Sequence, residues 1–182
     1  MKVLITGCAG FIGFHIAAKL LKKGKYKIYG LDNLNSYYDL KLKRDRLKLL
    51  KKNKNFKFFK ADITNVNTLN KIFENKFKYV IHLAAQAGVR YSIDHPGEYL
   101  STNVVGHYNI IEACRLHSVK HLIYASSSSV YGLSKEVLLS EKQNTDHPVS
   151  FYAASKKTNE VITESFCKIY KIPSTAIRFF TV

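Results

Sequence analysis

A chain of 182 residues, 46% hydrophobic and 13% aromatic, suffices for one domain with a sizeable core, and no stretch approaches the roughly 20 apolar residues of a membrane span. Cys8, Cys114 and Cys167 are widely spaced and odd in number, which argues against a disulfide framework or a metal site and fits reduced thiols in a cytoplasmic protein. The formal charge of +16 raises nucleic-acid binding, but its 24 Lys and 5 Arg are spread along the whole chain, as on an ordinary solvated surface.

In chain order, Met1 to Gly7 reads as a buried strand rather than a signal peptide. Apolar, β-rich runs at 3–6, 27–31, 56–60, 79–83, 121–125 and 174–179 alternate with helical periodicity at 11–23, 40–52, 66–74, 99–117 and 152–170. Such alternation predicts an α/β fold, a doubly wound parallel sheet with helices on both faces. Its strands are apolar through most of their length, as expected where both faces are covered. The densest basic run, from Lys41 to Lys54, falls on the helix at 40–52. Leu40, Leu47 and Leu50 form an apolar stripe there, so the cations are expected on its solvated face. Residues 133–150 are the one long polar connection. The chain stops at Phe180-Thr181-Val182, at the rim where such sheets bind ligands, and truncation is expected.

Gly7-Cys8-Ala9-Gly10-Phe11-Ile12-Gly13 joins the first strand to the first helix. Glycines at this spacing permit a tight turn and close approach of backbone to a pyrophosphate. The helix start at Phe11 and Ile12 supplies unpaired N–H groups and a favourable dipole. Asp32, followed by Asn33, ends the second strand 19 residues after Gly13. A carboxylate there accepts hydrogen bonds from both adenosine ribose hydroxyls and repels a 2′-phosphate. No Arg stands beside it in the chain, so NAD is expected over NADP. These features predict an NAD-binding Rossmann domain over 1–182; a glycine turn with a capping aspartate and no ligand is the plain alternative. Asp62-Ile63, after the third strand, suits the adenine edge. Leu83-Ala84-Ala85, after the fourth, either lets a dinucleotide lie along the backbone or simply packs closely.

Tyr152 and Lys156 are four residues apart, on one helix face. A phenol of pKa about 10 is a poor base; a nearby ammonium and a positive nicotinamide ring both favour the phenolate. The available chemistry is removal of a carbinol proton while hydride leaves for NAD⁺. Ser126 to Ser129 follow the fifth strand, where one hydroxyl can bridge a substrate to Tyr152 or the run can form a turn bonding its own backbone.

Together these residues resemble the extended short-chain dehydrogenase/reductase superfamily, in its NAD-dependent sugar-nucleotide epimerase/dehydratase branch. The glycine turn, Asp32, Asp62, His82-Leu83-Ala84-Ala85, Asn103-Val104-Val105-Gly106, the serine run and Tyr152-x-x-x-Lys156 stand in that branch's order. The stretches from Asp32 to Asp39 and from Ala85 to Ser92 are similar to UDP-glucuronate 4-epimerases, including those of capsule or lipopolysaccharide biosynthesis. The resemblance implies Tyr152 as base, Lys156 as its partner, Ser127 as the active-site hydroxyl, and Asn103, Tyr152 and Lys156 among the cofactor residues. It implies a UDP-sugar held near Gln86, Ser127, Ser128, Ser129 and Thr181. Arg90 faces the sugar carboxylate or diphosphate, or sits in a surface salt bridge.

Dehydratases and decarboxylases of this branch carry an acidic residue just before the Val/Leu-Tyr-Gly. Ser128 and Ser129 hold those positions here, which fits simple epimerisation: UDP-glucuronate to UDP-galacturonate through a 4-keto sugar. Members dimerise through two helices, matching 99–117 and 152–170, and bind UDP with a smaller C-terminal region largely missing here. The rival readings are a UDP-glucose 4-epimerase, a sugar-nucleotide reductase and a non-catalytic NAD-binding fragment. No nucleic-acid or membrane partner is expected.

Overall fold

Six parallel strands build the centre of the computed structural model, which describes residues 1–181 apart from Lys135 and Val137. They are β1 (Lys2–Thr6), β2 (Lys27–Asp32), β3 (Phe56–Lys60), β4 (Tyr79–His82), β5 (His121–Ser127) and β6 (Ser174–Phe179). Their order across the sheet is β3-β2-β1-β4-β5-β6. The order reverses between β1 and β4, and the crevice at that reversal is where doubly wound sheets bind ligands. Helices α1 (Phe11–Lys22), α2 (Leu40–Lys51), α3 (Val66–Phe73), α6 (Gly106–Leu116) and α7 (Phe151–Tyr170) make the crossovers.

Side-chain alternation along a strand decides which layer each residue joins. In β1, Leu4 belongs to a core with Phe73, Val80, Ile110, Ile111 and Leu122. Its neighbours Val3 and Ile5 enter a second core with Ala17, Leu21, Ile28, Leu47 and Leu50. Burying each such aliphatic side chain contributes roughly 1.5–3 kcal/mol, so the two layers together fix the register of the central strand.

The predicted strands and most helices agree with this architecture to within about two residues at their ends. Two expectations are corrected. The edge strands are not covered on both faces: β3 is half-buried and β6 largely exposed, since each has one neighbour and a thinner helical cover. The stretch expected as a helix at 99–117 is helical without a break to Leu116, but not regular. Short helices α4 (Tyr91–Asp94) and α5 (Pro96–Tyr99) precede a π-helical segment, Leu100–Val105, that leads into α6. Pro96 lacks an N–H and starts α5 at its first turn, and the wider π turn re-aims Thr102 and Asn103.

Candidate active site

A cavity of about 460 Å³ opens at the carboxyl ends of β1, β2 and β4. Its floor is the glycine turn. Gly7 adopts φ +70°, a backbone that favours glycine, and a Cβ there would lie 2.8 Å from the Ala84 nitrogen. A Cβ on Gly13 would collide with the Gly7 carbonyl. Helix α1 then begins at Gly10 with no side-chain cap and no acid in its first turn, leaving its N–H groups and dipole open to an anion. Gly7, Gly10, Phe11, Ile12 and Gly13 all line the cavity. So do Leu83, Ala84 and Ala85, whose close packing against Gly7 is the same feature that brings their backbone to the wall.

Thr6 ties the turn to β4. Its hydroxyl accepts from the Leu83 and Ala84 nitrogens, both at 3.1 Å, and lies 2.7 Å from His82 Nδ1. With both lone pairs occupied, the hydroxyl donates to that nitrogen, which is therefore unprotonated. Burial agrees, pushing the His82 pKa down to about 3, with Lys156 adding to the fall.

Asp32 is 7% exposed and also lines the cavity. One carboxylate oxygen accepts from the Ala9 nitrogen at 3.1 Å and the other from the Leu34 nitrogen at 2.9 Å, so it shapes the turn and faces the cavity at once. Asn33, a lining residue, donates to Asp62 at 2.8 Å. The Asp62 carboxylate is otherwise spent on the Thr64 nitrogen and hydroxyl. Burial pushes its pKa up, but those donors hold it below the ordinary value. Ile63 lines the cavity, and Asp62, held by Asn33 and Thr64, stands beside it just after β3.

Asn103 ties the loop after β4 to α7. It accepts from the Gln86 nitrogen at 2.7 Å and donates to the Gln86 carbonyl at 3.0 Å and the Ser155 hydroxyl at 3.1 Å. Gln86, which it holds, is 3% exposed and lines the cavity, with Nε2 buried near the Tyr99 hydroxyl but without a well-formed hydrogen bond among the described residues. Such an orphaned donor costs stability unless a ligand completes it.

Tyr152 and Lys156 stand on the first turns of α7, whose start is capped by the Ser150 hydroxyl accepting from the Ala153 nitrogen at 3.0 Å. The Tyr152 ring meets Tyr99 edge-on at 6.1 Å. Tyr99 in turn holds the cavity loop by bonding the Ala87 and Gly88 carbonyls, both at 2.6 Å. Lys156 is 4% exposed, donates to the Ala125 carbonyl at 2.9 Å and sits 6.0 Å from the Tyr152 ring centre. Burial lowers its pKa to about 8.

The expected lowering of the Tyr152 pKa by Lys156 is not what the protein alone produces. Burial raises the phenol, and only the Ser127 hydroxyl beside it pulls the other way. Of the serine run, Ser126 is committed to Glu160 at 2.5 Å, and Ser127 both accepts from the Ser129 nitrogen at 3.1 Å and faces Tyr152. Ser128 and Ser129 lie half-buried in the following helical turn. Arg90 is exposed, outside the cavity lining and without an ion pair among the described residues. Thr181 is likewise exposed and outside the lining, two residues beyond Phe179, the register partner of Ser127. Val182 lies outside the described residues.

Several residues of the site escape a reading by motif. Tyr37, Tyr38, Lys43 and Arg46 line the cavity, and Lys43 is only 4% exposed. The basic run is thus not a uniformly solvated face, and the view that no Arg neighbours Asp32 is corrected: folding brings Arg46 to the same wall. The signal was their three-residue spacing, which puts both on one helix face. Beneath Lys156 a buried His82–His107 pair, rings 5.2 Å apart, continues to Thr163 at 2.7 Å from His107. Burial, then His82 and Lys156, hold His107 well below its ordinary pKa.

A parallel sheet of this order, with a glycine turn, a carboxylate after β2 and a Ser/Tyr/Lys cluster at the end of β5, defines a Rossmann domain of the short-chain dehydrogenase/reductase type. Residues 4–182 match the family described as GDP-mannose 4,6 dehydratase, and the chain belongs to that family, within the extended epimerase/dehydratase group. Protein CapI of Staphylococcus aureus is 50% identical over 183 residues, covering 100% of this chain and 54% of CapI. UDP-glucuronate 4-epimerase 2 of Arabidopsis thaliana is 46% identical over 184 residues, covering 100% and 42%. The crystal structure of a Bacillus cereus UDP-glucuronic acid 4-epimerase with UDP-glucuronic acid and NAD superposes with a TM-score of 0.93 at 35% identity, over 100% of this chain and 57% of that one. The chain spans about half the length of the curated relatives it matches. Among the described residues no helix is long and apolar enough to cross a membrane, and no group of three or more metal-ligating side chains is placed to hold an ion.

Proposed function

We propose that this chain is the NAD-binding and catalytic part of a C4 epimerase acting on a UDP-hexuronate, converting UDP-glucuronate and UDP-galacturonate. The observation that carries the reading is the Ser127–Tyr152–Lys156 cluster at the carboxyl end of β5, outside the cavity lining itself but joined to it where Lys156 bonds the carbonyl of the lining residue Ala125, with hydroxyls rather than a carboxylate at Ser128 and Ser129. The glycine cradle that a Cβ would fill and the orphaned Gln86 amide fit NAD. Gly7, Gly10, Phe11, Ile12 and Gly13 hold its pyrophosphate, Asp32 and Asn33 its adenosine ribose, Ile63 its adenine, and Leu83, Ala84 and Ala85 lie along it. When bound, NAD supplies the acceptor for the C4 hydride and its donor on return.

Tyr152 takes the proton of the sugar 4-hydroxyl and later gives it back. Ser127 steadies that oxygen and the phenolate. The Lys156 ammonium, fixed on the Ala125 carbonyl, contributes the positive field that opposes burial of a phenolate. Ser128 and Ser129 offer hydroxyls to the hexuronate carboxylate. The missing acid matters because elimination of water or loss of CO₂ needs a further proton donor or acceptor, and none stands at those positions.

In the protein carrying this chain, Tyr152→Phe should lower kcat by at least about a thousandfold while leaving NAD affinity within twofold. Wild-type protein that converts UDP-glucose but not UDP-glucuronate would move the substrate assignment, and net NADH consumption would make the enzyme a reductase. The reading extends to a cytoplasmic homodimer paired through α6 and α7, supported by exposed Tyr108, Leu116, Val161 and Ile169 on those helices. Light scattering on the purified protein tests the dimer.

A further inference from the structure

Helix α7 meets the carboxyl end of β5 at three successive strand residues. Tyr152 faces Ser127, Lys156 donates to the Ala125 carbonyl at 2.9 Å, and Glu160 accepts from the Ser126 hydroxyl at 2.5 Å. The three helix residues are four apart and share one face. Tyr152 and Lys156 belong to the reading above. Glu160 has no part in it, yet its side chain is only 12% accessible, and a carboxylate so placed is costly unless it is paired and hydrogen-bonded.

Arg178 supplies the pairing. It stands on β6 as the register partner of Ser126, and its guanidinium forks onto Glu160: Nε donates to Oε1 at 2.9 Å and Nη2 to Oε2 at 2.8 Å. Such bidentate geometry fixes orientation as well as charge. Burial alone would push the Glu160 pKa up, but the Arg178 and Ser126 donors hold it below the ordinary value, so it stays a carboxylate and Ser126 stays the donor. Arg178 also lies 4.9 Å over the ring of Tyr131, in the turn that follows the serines, and reaches the Glu141 carbonyl at 3.4 Å. Among the described residues this is the most secluded ion pair, and it ties α7, β5, β6 and that turn together around Ser127.

Resting on the epimerase reading above, we propose that Glu160 and Arg178 are positioning residues of the reaction: their ion pair, through Ser126, sets the end of β5 so that the Ser127 hydroxyl faces the Tyr152 phenol. Ser126 and Ser127 are consecutive, so a displacement of one carries the other. Misplacing a group by about 1 Å at a reacting centre can cost on the order of a hundredfold in rate. A pair that touches no reacting atom thus governs the proton step, and its effect on rate passes through Ser127.

A double-mutant cycle in the full protein carrying this chain, with UDP-glucuronate as substrate, tests this. Arg178→Met should lower kcat at least about tenfold while KM and NAD affinity stay within about twofold. In a Ser127→Ala background the same substitution should lower kcat by less than about threefold. Glu160→Gln keeps an acceptor for Ser126 and should lose at least about threefold less than Glu160→Leu. Should Arg178→Met or Glu160→Leu not fold, Ser126→Ala decides. It deletes only the tie to the strand, leaves the ion pair whole, and should lower kcat at least about threefold, but only where Ser127 is present. An Arg178→Met protein within about threefold of wild type, or losses equal with and without the Ser127 hydroxyl, overturn the inference alone. Wild-type protein without epimerase activity, or Ser127→Ala with unchanged kcat, overturns the reading and this inference with it.

Discussion

The two halves of the sheet build their parts of the site with different materials. Around β1, β2 and β3 the work falls to backbone: glycines that admit no Cβ, N–H groups at an uncapped helix start, and one carboxylate bonded to two backbone nitrogens. Around β4, β5 and β6 it falls to buried side chains. Lys156, His82, His107, Asn103 and Gln86 are each at most 4% exposed and act through one another. A backbone site tolerates no added atom, whereas a side-chain site tolerates shape but not loss of a partner. The first half should therefore fail by steric collision and the second by unpaired polarity or altered titration.

The sharpest test is Gly13→Ala. The added methyl meets the Gly7 carbonyl with backbone on both sides, so NAD affinity should drop at least a hundredfold, with stability lower by ~1–3 kcal/mol or more. Titration and thermal melts check both; a variant that binds NAD normally would remove the contrast between the halves.

Lys156→Met probes the second half through pH. The folded pKa of Lys156, about 8, lies below the ordinary 10.5, so the folded state releases the proton first. Between those values the unfolded chain binds more protons, and native stability rises with pH through the window. The Met variant lacks this titration, so its stability relative to the native chain should decline by up to about 3 kcal/mol from pH 8 to 10.5. Denaturant melts across that range measure it, and parallel curves would show that Lys156 is not desolvated.

Asn103→Leu should cost about 2 kcal/mol, because the Gln86 N–H and C=O lose their buried partner. For a chain of this size that is a Tm lower by roughly 4–8 °C, with weakened NAD binding because Gln86 is no longer held at the wall. Unchanged binding would detach Gln86 from the cofactor site. Smallest of all, Lys168→Ala removes an exposed pair with Glu164, whose side chains are 73% and 67% accessible, and should leave Tm unchanged.

Legibility followed the same division. The glycine turn, Asp32 and the Tyr152–Lys156 spacing could be read directly, because each is a local pattern with a local physical reason. Asp62 and Asn103 were legible as candidate cofactor residues but their partners were not, since the hydrogen bonds that hold them come from residues 29 and 17 positions away. Lys43 and Arg46 looked like part of a solvated charge run, and nothing in the sequence paired His82 with His107.

The sequence by itself determined the strand–helix alternation, the parallel order it implies and the phosphate turn, because backbone conformation and hydrophobic period are set within a few residues. Only the tertiary structure decided which serine faces Tyr152, that Lys156 is buried against a carbonyl, and that the wall holding Asp32 is also cationic. Those outcomes depend on desolvation and on charges brought together across the crevice. For the feature most exposed to that dependence, the cavity wall after β2, the chain's local pattern named the carboxylate and folding brought Lys43 and Arg46 to its side.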